Sequence, residues 1–157
     1  MRRALILIFL ALLAPLSSDA GYPADIAVIV NKDNPTSEVS FRDLVKIFKQ
    51  EKQYWGDGKK IYLVLQEARS SEKAIVLERL YKMNGEELKQ FWLIKMYRGE
   101  ITSFPKTFSS NVAVKRFISE VPNAIGFIDA SFVDESVKVL RLDGKLPREA
   151  GYILGDK

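Results

Sequence analysis

The stretch from Ile61 to Leu80, IYLVLQEARSSEKAIVLERL, places the tightest constraint on the fold. Ile61 to Leu65 is a short, continuous apolar run, the pattern of a strand buried within a sheet. After Ser71, the apolar positions Ala74, Leu77 and Tyr81, flanked by Val76 and Leu80, form a broad stripe suited to a helix lying on that sheet. Between them runs a polar loop, Gln66 to Glu72. The first N–H groups of a helix have no partner within it and point outward, so this loop is also where a small anion would bind.

The same grammar extends along the chain. Asp25 to Asn31 (DIAVIVN) reads as a second buried strand rich in β-branched residues. Ser40 is an N-cap for an amphipathic helix with Phe41, Leu44, Val45 and Phe48 on its apolar side. The turn Tyr54-Trp55-Gly56-Asp57-Gly58 follows, with Trp55 expected to cover the edge of the core. Asn84, with Glu87 three residues on, opens a helix whose apolar side is Leu88, Phe91 and Trp92 and which ends at Gly99. Glu86 and Glu87 fit there as first-turn acids that complement the helix dipole. Lys89, Lys95 and Arg98 are expected on its solvated face.

Residues 99–110 read as extended, with Pro105 forbidding helix until a cap at Ser110 or Asn111. Val114, Phe117, Ile118 and Val121 then give a fourth helix, stopped by Pro122. Ile125 to Ile128 is a further buried strand whose Gly126 suits a close backbone approach. Ser136 to Leu142 reads as an outer strand before an Asp143-Gly144 turn. The expected class is α/β, with a mostly parallel or mixed sheet layered by about four helices. Ligands in such folds collect at the carboxyl ends of the strands.

Composition and the leader narrow the function. Residues 1–20, MRRALILIFLALLAPLSSDA, combine two arginines, a 13-residue apolar run from Ala4 to Leu16, and small residues Ser18 and Ala20 at a cleavage-type site. This predicts a cleaved signal peptide and an export product of residues 21–157 with one domain, since a membrane-spanning helix needs roughly 20 apolar residues. A periplasmic or secreted location follows, with no stable membrane insertion after cleavage. The net charge of +4, from 24 basic and 20 acidic side chains, is small and evenly mixed, which argues against a nucleic-acid partner.

Histidine and cysteine are both absent. That removes the usual general base, the thiolate nucleophile and the commonest transition-metal ligands, so neither an enzyme, a cofactor nor a metal site is expected.

Several segments in order, IAVIVNKDNP, SFRDLVKIFKQ, the Trp-Gly-Asp-Gly turn, the strand leading to a serine-opened helix, and VPNAIGFIDASF, resemble the type II periplasmic binding proteins. The resemblance is to the second lobe of the phosphate-binding protein of ABC phosphate uptake systems, and it covers roughly residues 26–145. It implies a single periplasmic-binding-protein-like lobe. In that family an arginine after the strand and a serine, glycine, threonine run at the next helix start hold phosphate. Ser70 matches the serine, whereas Gln66 stands in place of the arginine, Ser71 in place of the glycine and Glu72 in place of the threonine. Arg69 is a cation on the same loop.

The candidate anion-binding residues are therefore Ser70, Ser71, Arg69 and Gln66, with Ser110, Asn111 and Lys106 at the second helix start as a secondary set. Two functions stay open at this point. One is an exported, non-catalytic phosphate-binding-protein-like domain with at most weak phosphate or oxyanion binding. The other is an accessory module that has lost its solute and contacts a transporter or another envelope protein.

Overall fold

The computed structural model describes residues 25–67 and 71–155. The expected signal peptide, residues 1–20, lies outside them. Strand β1 (Ile26–Asn31) leads to a two-residue β2 (Glu38–Val39) and helix α1 (Phe41–Phe48). Then come β3 (Tyr62–Gln66), α2 (Ser71–Val76), α3 (Gly85–Tyr97), β4 (Lys106–Phe108), α4 (Asn111–Glu120), β5 (Ala124–Asp129), β6 (Val137–Val139) and β7 (Arg141–Leu142).

The main sheet has the order β4-β3-β5-β1-β6. β3 runs parallel to β4 and β5, while β1 is antiparallel to both β5 and β6. The sheet is therefore mixed. The fully buried β1 does not sit among parallel neighbours, because burial on both faces follows from helices covering both sides and not from strand direction.

Side chains alternate across the sheet as the pleat requires. Ala27, Ile29, Val64, Ala124 and Ile128 face one way, onto Val114 and Ile118 of α4. Ile26, Val28, Val30, Leu63, Leu65, Ile125 and Phe127 face the other way, onto α1, α2 and α3. There Phe48, Tyr81 and Phe127 are essentially fully buried, each such burial stabilising by roughly 1.5–3 kcal/mol. The Tyr81 hydroxyl donates to the Phe48 carbonyl at 2.9 Å, so this large side chain leaves no unpaired polar atom in the core.

Local chemistry sets the helix starts. Ser40 Oγ accepts from Asp43 N, Asn84 and Glu87 form a reciprocal capping box, and Ser110 Oγ accepts from Ala113 N. α4 approaches the sheet over Gly126, where a Cβ would come within 2.9 Å of both Ile118 Cδ1 and the Val64 carbonyl oxygen. Asn31 fastens the far end of α4, donating to the carbonyls of Ile118 and Ser119 at 3.0 Å each.

Some expectations change. α2 runs on into a π-helical turn, Leu77–Tyr81, closed by Lys82 in the left-handed region. The extended segment 99–110 contains a true strand, β4. The outer strand expected from Ser136 to Leu142 is broken at Leu140, with its second piece pairing parallel to β2 instead of continuing beside β1. Lys95 is not on the solvated face of α3. It is 7% exposed, pairs with Glu100 at 2.8 Å and lies over the Phe91 ring, because the chain doubles back after Gly99 and covers it. The tail also contributes: the buried Tyr152 donates its hydroxyl to the Ile26 carbonyl at 2.7 Å.

Candidate functional site

β3 ends at Gln66, β5 ends at Asp129, and α2 and α4 begin close by, so the carboxyl edge of the sheet brings two helix starts together. The residue that joins them is Asn111, the first of α4. Its Oδ1 accepts from the backbone N–H of Asp129 at 3.0 Å and from Gln66 Nε2 in a short contact. Its Nδ2 donates to Glu72 Oε1 at 3.0 Å. One amide thus ties the ends of two strands to the first turn of α2.

The knot is buried. Gln66 is 3% exposed and Glu72 is 6% exposed. Glu72 lies in the first turn of α2, where the helix dipole favours a negative charge. Lys73 Nζ, one residue on, donates to the Glu67 carbonyl at 3.2 Å.

Of the residues singled out from sequence, Gln66 and Asn111 meet directly, which unites the primary and secondary candidate sets. Ser71 opens α2, while Arg69 and Ser70 lie outside the described residues. Ser110 caps α4 with its own hydroxyl. Lys106 is set two residues back along β4, over the Phe117 ring at 5.4 Å, and lines a separate cleft of about 200 Å³. Trp55 is 6% exposed and donates Nε1 to the Asn123 carbonyl, so it covers the core edge and offers no stacking surface.

Sequence reasoning missed two features. The burial of Glu72 is one, since a first-turn acid usually stands in solvent. The other is an apolar cavity of about 380 Å³ next to Gln66, between the edge of β3, helix α3 and the segment before β4. The exposed Phe104 and Leu93, at 51% and 45%, stand at its mouth. Among the described residues no cluster of acidic side chains could hold a metal ion, and no helix is long and apolar enough to cross a membrane.

No protein-family model matches the chain, and no curated protein does. Solved structures do match. An ABC-type phosphate transport receptor from Vibrio cholerae is 21% identical, with a TM-score of 0.64 over 80% of this chain and 48% of its own. PstS from Borrelia burgdorferi is 18% identical, with a TM-score of 0.63 over 80% of this chain and 49% of its own. A Clostridium perfringens protein assigned to the substrate-binding components of phosphate ABC transporters, solved with phosphate bound, is 24% identical. Its TM-score is 0.62, over 78% of this chain and 46% of its own.

The fold is that of a single periplasmic-binding-protein-like lobe. The chain spans about half the length of the solved proteins it matches. The sheet edge that carries Gln66, Asn111 and Asp129 is the carboxyl end of the strands, the side on which open α/β sheets take their ligands.

Proposed function

We propose that this chain is an exported, non-catalytic domain of the phosphate-binding-protein type that takes phosphate or another oxyanion weakly at most. The observation that carries this reading is the buried Glu72 carboxylate, held by Asn111 at the start of α2. An anion placed about 4 Å from that carboxylate meets a repulsion of about 4 kcal/mol at an effective dielectric constant of about 20. The whole free energy of a millimolar affinity is also about 4 kcal/mol. Repulsion of that size removes most of what the helix start can offer, and Gln66 brings a neutral amide where an arginine would make a charge-assisted pair.

The residues proposed to touch the anion are Ser70, Ser71 and Arg69. Export is supported by the leader and by the likeness to transport-system binding proteins. The absence of histidine and cysteine from the sequence supports a non-catalytic role.

Calorimetry with phosphate and sulfate on residues 21–157 tests this reading. Dissociation constants in the millimolar range or weaker are expected, rising further in Arg69→Ala. A low-micromolar constant for the unaltered protein would overturn it. A second reading, an accessory module that docks on a transporter or another envelope protein, draws on the exposure of Phe104 and Leu93 at the sheet edge. Its test is a pull-down from envelope membranes in which a Phe104→Ser, Leu93→Ser double variant loses the partner.

A further inference from the structure

The cavity beside Gln66 has the size and lining of a ligand site. Its volume of about 380 Å³ falls within the roughly 300–1,000 Å³ usual for small-molecule pockets. Its walls are Leu65, Leu88, Trp92, Leu93, Phe104 and Pro105, contributed by β3, α3 and the segment before β4. Trp92 is 7% exposed and is held in place by edge-on contacts with Tyr81 and Phe91, so its part of the wall is rigid.

The charge at the mouth has a sign. Lys73 and Lys89 line the cavity together with one carboxylate, Glu67, and the Gln66 amide. Lys89 stands exposed on the first turns of α3. The cavity thus joins an apolar floor to a rim with an excess of positive charge, and it opens at the carboxyl edge of the sheet.

We propose that this cavity binds a small amphipathic anion, a molecule with a medium-length apolar body and one carboxylate-type head. The body lies against Leu88, Trp92 and Phe104, and the head meets the exposed Lys89 at the rim. This goes beyond weak oxyanion binding, because the affinity comes from the apolar body and does not pass through the Asn111 knot. Inorganic phosphate, which has no such body, gains nothing from these walls.

The test is calorimetry with octanoate, hexanoate and heptylammonium on residues 21–157. Octanoate is expected to bind one to one, and hexanoate about fifteenfold more weakly, since each methylene is worth about fourfold. The cation with the same tail should bind at least about tenfold more weakly than octanoate, and Lys89→Glu should narrow or reverse that preference. Glu72→Gln should leave octanoate binding unchanged while it alters phosphate binding, so the two proposals fail separately. Equal binding of both head groups, affinity independent of tail length, or no saturable heat at millimolar octanoate would overturn the inference. So would sedimentation showing that a second copy covers the cavity.

Discussion

Gln66 belongs to two neighbouring regions that are built in opposite ways. On one side its amide joins Asn111, Glu72 and the Asp129 N–H in a buried polar knot. On the other it edges an open cavity walled by Trp92, Leu88 and Phe104. The knot turns the side chains of Gln66, Glu72 and Asn111 onto one another. The cavity leaves apolar surface without a partner among the described residues. On the proposed reading, a helix start whose own first turn carries a carboxylate offers an anion little, and the neighbouring apolar wall is the place to look.

This contrast sets the expected order of mutational effects. Asn111→Ala should be the most damaging. It removes three hydrogen bonds at once, from Gln66, to Glu72 and from the Asp129 N–H, each worth about 0.5–1.5 kcal/mol net. A loss of about 3 kcal/mol in urea unfolding is expected, and a loss below about 1 kcal/mol would mean that the knot is not structural. Gly126→Ala should come next, at about 1–3 kcal/mol by the same measurement. The added methyl meets the Val64 carbonyl oxygen, a backbone atom that cannot turn aside, and so lifts α4 and its Asn111 off the sheet.

Changes on the cavity side should be far smaller in stability. Phe104→Ser should stay within about 0.5 kcal/mol of the unaltered protein, because half of the ring is already in water. A large loss there would show that the rim is part of the core and not an open wall.

The smallest effect concerns Asp134, which meets Lys115 one turn along α4 from Asn111. The hydrogen bond from Lys115, followed by those from the Ser136 hydroxyl and N–H, holds its carboxyl at about 2, below the usual 3.8. A depressed carboxyl contributes stability that is complete above the unfolded value and is lost as pH falls through the folded one. The window is therefore between about pH 4 and pH 2. In an NMR titration Lys115→Ala should move the Asp134 midpoint part of the way toward 3.8, since the Ser136 bonds persist. No movement would show that Lys115 does not hold the group.

Most of the scaffold is legible in the sequence because its signals are local. The N-caps at Ser40, Asn84 and Ser110 sit where residue type and spacing put them, and the apolar run of β1 and the apolar periods of α1 and α4 are clear. β4 is harder to see, being three residues with two exposed, held by pairing with β3 and by contacts of Lys106 and Phe108 with Phe117. Lys95 and Tyr152 escape for a different reason, since what buries them is chain returning from elsewhere in the sequence. The site is half legible. Gln66 and the two helix starts can be found by position, but their union depends on a contact between Gln66 and Asn111, which lie 45 residues apart. No local pattern encodes that contact.

The most direct test of the filled-site account is a phosphate titration followed by NMR at the Asn111 side-chain amide, in the unaltered protein and in Glu72→Gln. The variant keeps an oxygen for Asn111 to bond but removes the charge. The account predicts that the amide protons stay unmoved by millimolar phosphate in the unaltered protein and shift saturably in Glu72→Gln, with affinity at least about tenfold tighter. A saturable shift at micromolar phosphate in the unaltered protein, or no gain in the variant, would contradict it.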